Sequence, residues 1–87
     1  MLTNKQFNKW IKNLRSGKYK QITGSLKRKG SYCALGLLYC KNTWAFSPLP
    51  TVSYTERCEL IKRNDKLKQS FTEIADYLEE NKERYVL

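Results

Sequence analysis

Two capping boxes, one near each end of the chain, place the two best-defined helices. In each box, a Ser or Thr precedes a Glu or Gln by three positions, which is typical of a helix N-terminus. The pairs are Thr3 with Gln6 and Ser70 with Glu73. After each box, apolar residues recur at spacings of three and four, which predicts one buried stripe per helix. Gly17 predicts the end of the first helix. The stripes are Phe7, Trp10, Ile11 and Leu14 in the first helix, and Phe71, Ile74, Ala75 and Leu78 in the last.

The run YCALGLLYC at residues 32–40 is almost entirely apolar and is expected to lie in the core. A buried strand and a buried helix share this pattern at such a length, but the alanine and the leucines favour a helix. Gly36 lowers the stability of a helix by about 1 kcal/mol. We therefore expect a second backbone to cross close to it.

The segment between the first helix and this run is short and irregular. Gly24-Ser25 and Gly30-Ser31 are turn signals. They predict two short strands, at about 19–22 and 25–29, or an extended segment that lies against the core.

A loop follows the apolar run. A stiff loop is expected over residues 41–54, because it contains Pro48 and Pro50. Its Trp44 and Phe46 either close over the core or form a binding surface.

A third short helix is expected over residues 55–63, ended by Asn64-Asp65. Together the patterns predict one small basic domain spanning residues 1–87, of α+β class but predominantly helical. About four helices would surround a single core, with the hairpin or extended segment at about 19–29. The candidate core positions of the third helix are Cys58, Leu60 and Ile61.

The charges are strongly segregated along the chain. Residues 1–55 contain ten Lys and Arg and no Asp or Glu, whereas residues 56–87 contain seven bases and eight acids. The two parts therefore carry +10 and −1, which sum to the net charge of +9. The electric field of such a charge distribution concentrates polyanions near the basic part, so the sequence predicts an anionic partner.

Two groups of basic residues are candidates for that contact. Lys5, Lys9 and Lys12 share the helix face opposite the apolar stripe, where they form either an ordinary solvated face or a row of ammonium groups for phosphates. The second reading is favoured because an acid-free helix cannot form stabilising i,i+4 ion pairs. The second group lies within residues 18–32, together with two tyrosines that either stack on bases or face the core. The candidate nucleic-acid-binding residues are Lys5, Lys9, Lys12, Arg15, Lys18, Tyr19, Lys20, Lys27, Arg28, Lys29 and Tyr32.

The same sequence offers little for catalysis or for metal binding. Histidine is absent, which removes the commonest general base and the commonest metal ligand. No phosphate-binding glycine loop or zinc motif occurs, and an odd set of three cysteines is expected to be reduced and buried. We therefore expect no enzyme activity, no cofactor and no metal. The lack of a long apolar stretch and of a signal-peptide core predicts a cytoplasmic protein.

Three blocks of the sequence resemble a family of small phage-encoded proteins. The blocks are LRSGKYKQ at 14–21, YCALGLL at 32–38, and LIKRND at 60–65 followed by SFTEIADYLEEN at 70–81. Ala34 stands where a second cysteine often follows the first in that family. The resemblance implies a viral origin and action in the cytoplasm of an infected bacterium. It also implies a role against a host factor or defence system, such as the inhibition of an RNA-cleaving toxin.

Three functional hypotheses follow. The leading one is a nucleic-acid-binding module that contacts mainly phosphates, on RNA or single strands rather than duplex DNA. The alternative is a protein inhibitor whose basic face docks on an acidic host protein, or on a host ribonucleoprotein, without a nucleic-acid ligand of its own. A third is head-to-tail self-association of the oppositely charged parts.

Overall fold

The computed structural model describes residues 2–39 and 52–86, and its fold is α+β and mainly helical, as predicted. Most of the predicted loop, with Trp44 and Phe46, and also Cys40, lies outside the described residues. The helices are α1 (Asn4–Arg15), α2 (Ala34–Tyr39), α3 (Tyr54–Ile61) and α4 (Phe71–Glu80). A π-helical turn (Lys62–Lys66) follows α3, a 3-10 turn (Lys82–Arg84) follows α4, and two short strands, β1 (Lys27–Arg28) and β2 (Ser31–Tyr32), lie between α1 and α2.

Both predicted capping boxes are present. The Thr3 hydroxyl accepts a hydrogen bond from the Gln6 amide at 3.1 Å, and the Gln6 side chain accepts one from the Thr3 amide at 2.9 Å. Ser70 and Glu73 make the same reciprocal pair at the start of α4. Gly17, with φ +73°, follows α1. The predicted stripes of both helices are buried.

The core forms where α1 packs against α4 and α2, and α2 against α3. The Trp10 indole is buried and donates a hydrogen bond to the carbonyl oxygen of Ala34 at 2.9 Å. The rings of Phe7, Trp10 and Tyr85 lie with their centroids 6.2–6.5 Å apart. The Leu2 amide donates to the carbonyl oxygen of Tyr85, so the two ends of the described chain close on this cluster.

The close crossing predicted at Gly36 is confirmed. A methyl group at this position would overlap the backbone carbonyl group of Leu26. Only glycine lets α2 pass this close to the chain that leads into β1.

The hairpin exists, but its position differs from the prediction. β1 and β2 are antiparallel, with Lys27 opposite Tyr32 and Arg28 opposite Ser31. Lys29 and Gly30 have φ of 48° and 79°, and positive φ at both central residues is what a type I′ hairpin turn requires. Gly30 therefore lies inside the turn rather than beyond the second strand. Residues 20–22 run alongside β2, joined by hydrogen bonds between Tyr32 and the backbones of Lys20 and Ile22.

The third helix departs from the prediction in two ways. Leu60 is buried as expected, but Cys58 is exposed and Ile61 is 47% exposed, so neither belongs to the core. Asn64-Asp65 does not end the helix, because the chain continues through the π-helical turn.

Asn64 explains this continuation. It is 2% exposed, and its side-chain oxygen accepts from the Gln21 side chain at 2.7 Å and the Ala34 amide at 3.3 Å. Its amide group donates to the Ile22 carbonyl at 2.8 Å and to Asp65 at 2.7 Å. All four hydrogen-bonding positions of the side chain are thus used. The wider π turn presents this side chain to the segment at residues 20–22, which it fixes beside α2.

Candidate nucleic-acid interface

Five predicted site residues are brought together on one ribbon of backbone. Three of them lie on the hairpin, and two lie on residues 18–20, which lead into the segment at residues 20–22 on the other side of β2. Neighbouring strands are about 4.8 Å apart, so the ribbon is about 10 Å wide. All five side chains are exposed. We call this group of residues the cationic ribbon; its members are Lys18, Lys20, Lys27, Arg28 and Lys29, and Lys27 and Arg28 project from opposite faces of β1.

The two tyrosines support the ribbon from below. Tyr32 is 8% exposed, and Tyr19 is partly buried and packs edge-to-face against it at a centroid distance of 5.8 Å. The Lys27 ammonium lies 5.7 Å from the centre of the Tyr32 ring, within range of a cation–π interaction. Of the two alternatives left open by the sequence, the core-facing one is observed. Tyr32 is therefore corrected from a candidate stacking residue to a support, because it opens the apolar run that enters the core.

The predicted row of lysines on α1 is also in place. Lys5, Lys9 and Lys12 are exposed on the side of the helix opposite its buried stripe, and we call them the lysine face. Among residues 2–39 and 52–86, no carboxylate forms a salt bridge with Lys5, Lys12 or any member of the cationic ribbon.

Arg15, another of the predicted site residues, forms salt bridges with two acids of α4. Its guanidinium lies 2.7 Å from the Asp76 carboxylate and 3.0 Å from that of Glu79. These hydrogen bonds, first to Asp76 and then to Glu79, raise the pKa of Arg15. The prediction that Arg15 is available to phosphates is therefore corrected, because its charge is balanced by acids of α4.

The first acid of the chain is turned inward. Glu56 is 8% exposed and accepts hydrogen bonds from the hydroxyl groups of Tyr85 at 2.7 Å and Tyr77 at 3.2 Å. Arg84 approaches its other oxygen at 3.8 Å. Burial, and next the bond to Glu56, raise the pKa of the Tyr85 phenol. The contacts of Glu56 within the described residues are thus with Tyr77, Tyr85 and Arg84, and it forms no salt bridge with a residue of the cationic ribbon.

An exposed groove lies beside the ribbon and was not predicted. Its volume is about 570 Å³. Tyr54, 74% exposed, stands on one wall, and the Arg57 guanidinium lies 5.8 Å from the centre of its ring. The spacing of Tyr54, Cys58 and Ile61 indicates a single helix face. Cys58 and Ile61 were predicted to lie in the core, and Tyr54 was predicted to lie in the preceding loop. The groove is lined by Leu26, Leu35, Tyr39, Tyr54, Arg57, Cys58 and Ile61.

Across residues 2–39 and 52–86, no three His, Cys, Asp or Glu side chains are grouped as a metal site requires. Cys33 is buried as predicted, but Cys58 is exposed. No helix in the described ranges combines the length and the apolar character needed to cross a membrane.

Comparison with protein families gives a match over residues 2–47 to the family described as Domain of unknown function (DUF8296). The match spans more than half of the 87 residues. The chain belongs to this family. The part shared with DUF8296 contains α1, the cationic ribbon and α2, whereas α3 and α4 lie outside it. Comparisons with curated proteins and with solved structures gave no significant match.

Proposed function

We propose that this chain binds RNA or another single-stranded nucleic acid through its phosphates. The observation that carries the proposal is the cationic ribbon, in which five exposed cations lie on the hairpin and on the chain that leads into the segment beside β2, without a salt bridge to any described carboxylate. The lysine face of α1 adds a second row of ammonium groups. Phosphate contacts of this kind set affinity and position but do not read sequence.

The support beneath the ribbon favours binding without large rearrangement. Tyr32 and Tyr19 hold the ribbon from the core side, and Asn64 ties residues 20–22 to α2. A surface that is already ordered loses less conformational entropy when a ligand binds.

The biological setting is part of the proposal and depends on the sequence resemblance alone. A phage protein acting in the host cytoplasm could use this surface to counteract a host factor, for example by binding the RNA that a toxin cleaves. In that role the protein would occupy its RNA and would not itself be an enzyme.

The test compares two triple variants that remove the same charge. The ribbon variant is Lys27→Gln, Arg28→Gln and Lys29→Asn; the control is Lys62→Gln, Lys66→Gln and Lys68→Asn, from the acid-containing part of the chain. Lys29 and Lys68 both have positive φ, which asparagine tolerates. Binding to a labelled single-stranded RNA is measured by fluorescence anisotropy at several salt concentrations.

We expect the ribbon variant to bind more weakly and the control to bind almost as the parent does. Each phosphate contact on a single strand contributes about 0.7 to the slope of log K against log salt, so the slope should fall by about 2 in the ribbon variant. Circular dichroism checks that both variants are folded. Equal losses in the two variants, or no RNA binding by the parent at low salt, would contradict the proposal.

Capture from nuclease-treated bacterial lysate separates this function from direct docking on an acidic protein. A partner lost on nuclease treatment is expected. A partner that the parent still captures after nuclease treatment, and that the ribbon variant does not capture, would favour the protein-inhibitor hypothesis instead.

A further inference from the structure

We propose that the exposed groove holds an unstacked base of the same strand whose phosphates lie on the cationic ribbon. This inference rests on the proposed function and deepens it, because it names single-stranded segments as the ligand. It also assigns a role to Tyr54 and Arg57, which no pattern in the sequence pointed to.

Tyr54 has the properties of a stacking residue. It is the first residue of α3, and its 74% exposure leaves most of the ring open. The backbone there is fixed, since the Ser53 side chain caps the helix by accepting from the Glu56 amide at 3.3 Å. Aromatic rings and guanidinium planes are the groups on which proteins stack unpaired bases. Tyr54 and Arg57 supply one of each on a single wall of the groove.

The remaining walls suit a flat and largely apolar group. Leu26 is 45% exposed and Ile61 47% exposed, and both line the groove together with Leu35 and Tyr39. Adjacent exposed apolar side chains in a concave surface mark a binding site more often than isolated ones do. A volume of about 570 Å³ falls within the usual range for small organic ligands.

The groove and the ribbon are joined at Leu26. The Cys33 amide donates to the Leu26 carbonyl at 3.2 Å, which continues the hairpin ladder by one residue. Side chains alternate along a strand, so Arg28 projects on the same side as Leu26, about 7 Å along the chain, while Lys27 projects toward Tyr32. Arg28 is therefore the cation of the ribbon best placed to hold the phosphate of a nucleotide whose base enters the groove.

Charge selects this occupant over a second copy of the chain. The described residues that line the groove include Arg57 but no carboxylate, and the chain as a whole carries +9. Two copies that each carry +9 repel one another overall. A nucleotide offers an apolar ring and an anionic phosphate in one ligand.

The test uses a single-stranded RNA that carries the fluorescent base 2-aminopurine, with Tyr54→Ala and Tyr54→Phe as the variants. Leu67→Ala is the control, because Leu67 is 53% exposed and lies outside the groove. Tyr54→Ala should bind the RNA between about 5-fold and about 150-fold more weakly, the range measured for loss of one stacked base. Tyr54→Phe and Leu67→Ala should bind as the parent does.

Three further readouts distinguish stacking from loss of fold or of charge. The fluorescence of 2-aminopurine should be quenched by the parent and by Tyr54→Phe but not by Tyr54→Ala at saturation. The salt slope should be the same in all four proteins, since no phosphate contact is removed. Binding to duplex RNA should be insensitive to Tyr54→Ala, because its bases are already paired.

The outcomes separate this inference from the proposed function. If the parent binds RNA through the ribbon but Tyr54→Ala binds equally well, the groove does not hold a base and the proposed function stands. If the parent binds neither single-stranded nor duplex RNA, both are wrong. A third outcome is that Tyr54→Ala binds RNA as the parent does but no longer captures a protein that the parent captures from nuclease-treated lysate. The groove would then be a protein-docking site, and the inference would be overturned.

Discussion

Replacing Asn64 with alanine tests whether one buried side-chain amide holds residues 20–22 in place beside α2. The side chain is 2% exposed and makes four hydrogen bonds, three of them to residues far away in the sequence. Alanine would leave the Ala34 amide and the Ile22 carbonyl without these partners. Gln21 would keep its bond to the Gln69 carbonyl, at 2.8 Å, and so loses less.

The expected loss follows from these partners. An orphaned buried donor or acceptor costs about 1–3 kcal/mol, and an ordinary hydrogen bond contributes about 1 kcal/mol. Taking about 2 kcal/mol for the Ala34 amide, about 1 for the partly buried Ile22 carbonyl and about 0.5 for Gln21, the free energy of unfolding should fall by about 3.5 kcal/mol. For a domain of this size that corresponds to a drop in Tm on the order of 15–25 °C.

Urea and thermal unfolding, followed by circular dichroism, measure this loss. Asn8→Ala is the matched control, since Asn8 is exposed on α1 and the same substitution there should change stability by no more than a few tenths of a kcal/mol. A loss below about 1 kcal/mol for Asn64→Ala would show that its hydrogen bonds do not hold residues 21–22 against α2.

Two further perturbations test other parts of the fold. Gly36→Ala should lower the free energy of unfolding by about 2 kcal/mol, because overlap with the Leu26 carbonyl outweighs the gain of about 1 kcal/mol in helix propensity; a higher Tm would contradict the close crossing. The Tyr85 phenol has a raised pKa in the folded state, so its contribution to stability is complete below its unfolded pKa of about 10 and is lost as pH rises above that value. Tyr85→Phe should therefore reduce the alkaline slope of stability against pH by up to about 1.4 kcal/mol per unit, and an unchanged slope would contradict this assignment.

The features predicted correctly from the sequence depend on near neighbours. The Thr3–Gln6 and Ser70–Glu73 boxes join residues three apart, so the pattern of side chains is enough to place the helices that follow them. The backbone crossing at Gly36 was also predicted, because an unfavourable residue inside a helix usually has a packing reason.

The features that the sequence placed wrongly depend on distant partners. Asn64 looks like a helix breaker by local propensity, yet its bonds to Gln21 and Ala34 span 43 and 30 residues. Tyr32 and Ile61 could each have faced either way. Their exposure is set by which neighbours the chain brings to them, and no local pattern contains that information.

The interface shows the same division. An acid-free half and a net charge of +9 are properties of composition and order along the chain, so they hold whatever fold is adopted. Which cations stay available depends on distances. Asp76 is 61 residues from Arg15 and yet lies 2.7 Å from it, while no ribbon cation forms a salt bridge with a described carboxylate. The groove at Tyr54 likewise exists only because α3, α2 and the hairpin meet there, which tertiary packing alone brings about.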